Sequence, residues 1–184
     1  MRQLWALVGA VTMSSPVLAD VQAKSWDDYY LGGEMSRVTL DPTSSQISST
    51  NPHMLSLSIG QQVGEYFAVE ARAGFGVSTN SVELFNADGS SLGKADVKVN
   101  YITSIYAKPQ LPISPELKLY GLAGWAHGEI SVGGIAEKDS DMSFGVGFNY
   151  SISDKTEVYF DWIELMDQDA VEVSSINLGI QYLF

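Results

Sequence analysis

From Met142 to Ile152 the chain alternates without a break. One side reads Met, Phe, Val, Phe, Tyr, Ile; the other reads Ser, Gly, Gly, Asn, Ser. A side-chain period of two belongs to extended backbone, whereas a helix needs about 3.6. Phe67 to Gly76 repeats the pattern, with Glu70 and Arg72 on its small-residue side and apolar residues opposite. Eight such segments follow one another, at about 27–39, 53–62, 66–79, 95–108, 117–131, 141–152, 156–165 and 172–184. None holds a helical period, so the chain is all-β. Most reach the roughly 9–11 residues that let a tilted strand cross a bilayer.

The bulk composition narrows the choice. At 184 residues the chain makes one domain. Only 17% of it is charged, below the roughly 25% of soluble domains, yet a mean hydropathy of +0.03 is too low for a helical membrane bundle. Acidic residues outnumber basic ones 22 to 10, which argues against a nucleic-acid partner, because phosphate binding needs a basic surface. The absence of cysteine removes disulfides, thiolate metal sites and Cys nucleophiles. At the start, Arg2 precedes the apolar run Leu4 to Val11, and Val17 and Ala19 take the −3 and −1 positions of a cut after Ala19. That is the layout of a secretory signal peptide over residues 1–19, with the remaining 20–184 as the barrel domain. The alternative is a membrane anchor, for which the run is too short.

The connections alternate in length. Residues 40–52, 80–94 and 132–140 are long and polar, and 166–171 is shorter but polar. Val63-Gly64-Glu65 and Ser153-Asp154-Lys155 are tight turns, and 109–116 is longer but stiffened by three prolines. An even strand count with short turns at one end and long loops at the other is the pattern of an outer-membrane barrel. The inward face is then the small, polar one, with Glu34, Glu70, Arg72, Lys98, Glu157 and Asp161 as a barrel-interior charge network. The outward face is bulky: Leu55, Leu57 and Ile59; Val97, Val99, Tyr101 and Ile105; Val158, Phe160 and Trp162; Ile176, Leu178 and Ile180. Tyr29, Phe67, Tyr150, Tyr182 and Phe184 fall at the strand ends near the termini, and Phe75, Trp125, Phe144 and Trp162 at the opposite ends, as two interfacial girdles. An open sheet edge in hydrocarbon would leave backbone groups unpaired, so the first strand must pair with the last. The competing architecture is a soluble barrel of lipocalin type, with the apolar face turned inward around a small ligand.

The last eight residues, Asn177-x-Gly179-x-x-Tyr182-x-Phe184, match the assembly signature of outer-membrane barrels, and Tyr29-Tyr30-Leu31-Gly32-Gly33-Glu34 resembles the opening motif of small ones. The chain thus resembles the OmpX-like barrels and the transmembrane domain of OmpA. The resemblance implies an eight-stranded, antiparallel, up-and-down transmembrane β-barrel in the outer membrane of a Gram-negative cell. It further implies a monomer among lipid and lipopolysaccharide, and recognition of Asn177, Gly179, Tyr182 and Phe184 by the barrel assembly machinery. No peptidoglycan-binding domain is expected, because the chain stops at the barrel.

Few residues suggest chemistry. His127, Glu129 and Ser131 in Trp125-Ala126-His127-Gly128-Glu129-Ile130-Ser131 supply the residue types of a base-activated hydroxyl, and invite comparison with lipid A-modifying barrel enzymes. The segment lacks the His-x-Ser-Asn pattern of the deacylase, since Glu129 stands where Ser is needed. His127 reads more simply as an interfacial residue, and no catalytic residue, cofactor site or metal site is expected. Glu137, Asp139 and Asp141, and Asp167 with Asp169, are acidic enough to meet Ca²⁺ but lack a loop that arrays six to eight oxygens. Asn86-Ala87-Asp88-Gly89 is a turn sequence. The bore of an eight-stranded barrel is normally filled by side chains. The interior charges therefore form a paired plug rather than an ion path, and the expected role is structural or surface-interacting through the outer loops, with a narrow porin-like channel as the alternative.

Overall fold

The computed structural model describes residues 28–42, 49–86, 90–167 and 171–184. The signal-peptide segment, the Ala87-Asp88-Gly89 part of the turn and Asp169 lie outside these residues. Among the described residues there are nine antiparallel strands: β1 (Tyr29–Pro42), β2 (His53–Gln62), β3 (Phe67–Gly76), β4 (Thr79–Phe85), β5 (Ser91–Pro112), β6 (Leu117–Val132), β7 (Ile135–Ser153), β8 (Thr156–Asp167) and β9 (Val171–Leu183). Sequence neighbours other than β3 and β4 pair around the sheet, β1 pairs with β9 from Tyr30↔Leu183 to Pro42↔Val171, and β3 closes onto β5 from Phe67↔Pro109 to Gly74↔Ile102. The result is a closed eight-strand barrel in which β4 is an extra strand. Closure satisfies the backbone groups that an edge would expose.

β4 corrects the expectation of a loop over 80–94. It pairs with the outer part of β5, Thr79↔Lys98 onward, as a two-stranded ribbon above the barrel. The stretch 132–140 is not a loop either. The ladder between β6 and β7 continues to Val132↔Ile135, and Gly133 and Gly134 make the whole turn, with φ of +59° and +86°. Positive φ at both central residues is what a tight hairpin demands, and glycine meets it without a Cβ clash.

The outward face is the bulky one along most strands. Leu57 is 60% exposed, Ile105 57% and Leu178 64%, while Ser56, Ser58, Asn177 and Gln181 are buried in the bore. A belt of exposed apolar side chains this continuous is stable only against hydrocarbon. It disposes of the lipocalin arrangement, which would hide these side chains. One segment reverses the expected facing. Val97 and Val99 are buried and Lys98 is exposed. The cause is a β-bulge: β5 pairs with β6 as Val99↔Ile130 and then Tyr101↔Glu129, so Asn100 is an extra residue. An inserted residue shifts the alternation by one and exchanges the faces.

The interior has two zones. Toward the turns that join β2 to β3 and β7 to β8, it is polar. Toward the ribbon it is an apolar cluster that includes Val38, Met54, Val82, Val97, Val99, Ile102, Leu122, Ile163, Leu165 and Val173. The expectation of a uniformly small and polar bore holds only for the first zone.

Candidate functional site

The polar zone is organised around Arg72. Its Nε donates to Glu70 Oε1 at 2.6 Å, its Nη1 to Glu34 Oε2 at 2.9 Å, and its Nη2 to Asp161 Oδ2 at 2.8 Å. Glu70 also accepts from Lys108 Nζ at 2.8 Å and from the Tyr30 hydroxyl at 2.6 Å. The Tyr159 hydroxyl donates to Glu34 at 2.9 Å; Tyr120 and Asn177 donate to Asp161 at 2.7 and 2.6 Å. Lys108 Nζ lies 4.1 Å from the centroid of the Tyr120 ring, a cation–π contact in a dry site. Three carboxylates thus meet two cations, and every charge is paired and hydrogen-bonded, the condition under which buried ions are tolerated. The partners come from β1, β3, β5, β6, β8 and β9, so the network braces the bore across its diameter.

A second cluster sits nearer the turns. Glu157 accepts from Lys118 Nζ at 2.9 Å, Asn149 at 2.8 Å, Ser151 at 3.1 Å and Gln181 at 2.8 Å. Of the six charges expected inside, Glu34, Glu70, Arg72 and Asp161 meet in one network, Glu157 anchors the other, and Lys98 belongs to neither because the bulge turns it out. Lys108 and Lys118 are the cations that were not expected. Lys108 falls on the even phase of Ile102, Ser104 and Tyr106, so the alternation below the bulge carried a signal for it.

Packing explains where the tyrosines fit. Tyr30 pairs across strands with Gly60, and Tyr159 with Gly179. A Cβ on Gly60 would stand 2.0 Å from Tyr30 Cζ, and one on Gly179 would stand 2.3 Å from Tyr159 Cζ. Each ring lies on the bare backbone of its glycine neighbour. Gly179 therefore has a packing partner of its own, whatever else it does. Tyr182 and Phe184 point outward with their rings 5.6 Å apart, and Asn177 lies inside on Asp161.

Between the polar and apolar zones a cavity of about 20 Å³ is lined by Glu34, Arg72, Ser56 and Asn177 among others. That is room for one water. The Ser56 hydroxyl and the Asn177 carbonyl oxygen have no partner among the described residues, which suits such a water.

His127 lies on the outer face. Its Nδ1 is 2.7 Å from Ser140 Oγ and its Nε2 is 3.3 Å from the Tyr101 hydroxyl. Ser131 instead accepts from Asn100, as does Glu129, which also pairs with Lys138 at 3.4 Å. The His127, Glu129 and Ser131 grouping is therefore not assembled. Asp139 and Asp141 each accept from the following backbone N–H, and no group of three His, Asp or Glu side chains that could hold a metal ion is found among the described residues.

A family model, the outer membrane protein beta-barrel domain, matches residues 5–184. The chain belongs to that family. The family places it in an outer membrane. Among solved structures, Ail, the attachment invasion locus protein of Yersinia pestis, seen in complex with the heparin analogue sucrose octasulfate, is 17% identical. The match covers 85% of this chain and 98% of that one, with a TM-score of 0.58. Neisserial surface protein A is 15% identical over 85% and 97%, with a TM-score of 0.58. The outer membrane protein AlkL is 14% identical over 85% and 90%, with a TM-score of 0.53. At these identities the likeness is one of fold. No curated protein matches the chain.

Proposed function

We propose that this member of the outer membrane beta-barrel family is a plugged, non-enzymatic barrel that acts through its outer surface. The observation that carries this reading is the occupied bore: among the described residues two hydrogen-bonded charge clusters and an apolar cluster fill it, and the cavity between the two zones has room for one water. A rigid scaffold with nothing moving through it suits interaction through the elements at its outer end. The β4–β5 ribbon and the β6–β7 hairpin extend there. Their charges are mainly acidic: Glu83 and Lys94 neutralise each other at 3.5 Å, as do Glu129 and Lys138 at 3.4 Å, which leaves Asp96, Glu137 and the half-buried Asp139 against Lys98. A sulfated ligand of the kind seen with Ail does not suit such a rim, because like charges repel it. The partner we propose is a positively charged surface. Recognition of Asn177, Gly179, Tyr182 and Phe184 by the assembly machinery, a monomeric state and contact with lipopolysaccharide belong to the same proposal. It is supported by the outward Tyr182 and Phe184 at the β1–β9 seam.

The test compares cells that carry the whole chain with cells whose ribbon is cut back to a tight turn. Adhesion to a polylysine-coated surface should fall with the ribbon, while uptake of small solutes stays the same. Unchanged adhesion together with altered solute uptake would replace this reading with the channel one.

A further inference from the structure

Three outward pairs climb the β1–β2 ladder toward its outer end. Met35 stands opposite Leu55, and Arg37 opposite His53, and all four are exposed. One step further out, the Thr39 hydroxyl donates to Asn51 Oδ1 at 3.0 Å. Ser36, Val38, Leu40, Thr50 and Met54 alternate with these residues and are buried, so the three pairs share the lipid side. The first pair is apolar, the second basic, and the third polar without charge. Asp41 and Glu172 face each other beyond them, so the nearest outward carboxylates on β1 and β9 stand two positions past Arg37.

Depth follows from counting along one strand. Arg37 is eight residues above Tyr29, just as Phe75 of the outer girdle is eight residues above Phe67 of the inner one. Eight residues of a strand tilted by about 40° rise about 21 Å, close to the roughly 25 Å height of the apolar band of such a barrel. Register agrees, since Arg37 pairs with Ile176 and Ile176 with the girdle residue Trp162. Arg37 and His53 therefore sit where the hydrocarbon of the outer leaflet gives way to headgroups. Lys94 and Lys138 have carboxylate partners in Glu83 and Glu129, but among the described residues no carboxylate lies within ion-pair distance of Arg37. Two basic side chains directly opposite each other, with Cβ atoms about 5 Å apart, favour an anion between them.

We infer that Arg37 and His53 bind a phosphate of lipopolysaccharide, the phosphorylated glycolipid of the outer leaflet. The order of the three pairs is the order of groups along such a lipid. Acyl chains lie on Met35 and Leu55, the phosphate between Arg37 and His53, and the sugar against Thr39 and Asn51. A guanidinium offers phosphate two parallel N–H donors, and an imidazole has an N–H to donate in either protonation state. The hydroxyl and amide of the third pair suit sugar hydroxyls, which a glycerophospholipid lacks at that height. The inference rests on the lipopolysaccharide contact proposed above and gives that contact its site. It is independent of the acidic ribbon, which lies further out.

Native mass spectrometry of the refolded full chain in zwitterionic micelles tests this. The probes are bisphosphorylated lipid A, the same lipid stripped of its phosphates, and phosphatidylglycerol. Wild type should retain lipid A about tenfold more than either of the others. Arg37→Gln combined with His53→Gln should retain lipid A and its stripped form equally. Arg37→Lys should keep part of the preference, because an ammonium attracts phosphate without the two-pronged geometry. Lys98→Gln removes an exposed cation of the ribbon and should behave as wild type. Each variant is first checked for a heat-dependent gel shift, and Arg37→Gln alone replaces the double variant if the latter does not fold. A preference for lipid A that the double variant shares with wild type overturns this site and leaves the lipopolysaccharide contact standing. No preference in wild type overturns the contact and the site together. Equal retention of phosphatidylglycerol and lipid A by wild type, both lost in the double variant, overturns the glycolipid in favour of any anionic lipid.

Discussion

Arg72 shows how much a single side chain decides in this barrel. Three carboxylates converge on it, and each is buried. Arg72→Ala leaves Glu34 and Asp161 without their cation, and should lower stability by about 3–5 kcal/mol, read as the urea midpoint of the barrel in detergent. An unchanged midpoint would mean that water replaces the guanidinium in a bore looser than the one described. Gly179 separates two roles. Gly179→Ala places a methyl against the Tyr159 ring and should destabilise by about 1–3 kcal/mol in refolding from urea into micelles, where no assembly machinery is present. If the substitution leaves micelle refolding untouched and impairs insertion only in cells, Gly179 acts through recognition alone.

At the scale of elements, the bulge at Asn100 is the device that joins two differently faced halves of β5. Below it, Tyr106 and Lys108 enter the polar zone; above it, Val97 and Val99 enter the apolar cluster and carry the ribbon with them. Deleting Asn100 leaves one uninterrupted alternation. Val99 would then precede Tyr101 directly, opposite Ile130 and Glu129, so Val97 and Val99 keep their inward faces, Lys98 stays outward, and the ribbon should stay on the barrel mouth. The expected result is resistance to proteolysis within 80–96 equal to wild type, with the heat-dependent gel shift kept. Rapid proteolysis there would show that the seating of the ribbon depends on the bulge itself rather than on the facing of those two valines. The Gly133-Gly134 turn makes a similar demand on its hairpin. Gly134→Val, at φ of +86°, should weaken the end of β6–β7 by about 1–3 kcal/mol, seen as faster amide exchange at Ile130 to Lys138.

The whole molecule is a cylinder closed between β1 and β9 and braced across its interior. Both features predict behaviour in bulk. Unboiled protein in SDS should migrate apart from boiled protein, because an edge-free barrel resists the detergent. In planar bilayers the wild type should show no steady unitary conductance, since the two charge clusters block the bore and the cavity between the polar and apolar zones holds about one water. Removing the central brace with Arg72→Ala and Lys108→Ala together should admit current if any variant does. Steady conductance in the wild type would show that the plug moves, and the channel reading would lead.

The alternation of bulky and small residues settled, without any structure, that this chain is a barrel with its apolar face outward. That pattern is local: a strand period of two can be read off a few residues, and the lipid-facing sides of most strands follow from it. The interior residues Glu34, Glu70, Arg72, Glu157 and Asp161 share the small-residue phase and were legible in the same way. What failed was every feature that depends on counting across strands. One inserted residue at Asn100 exchanged the faces of Val97, Lys98 and Val99, and no property of Asn100 announces a bulge. The extra strand β4 was hidden because its residues are polar enough for a loop and become a strand only by pairing with the outer part of β5. The charge partners were hidden for the same reason. Arg72 and Asp161 are 89 residues apart, and only the closing of the sheet, which sets the register of six strands at once, decides that they meet.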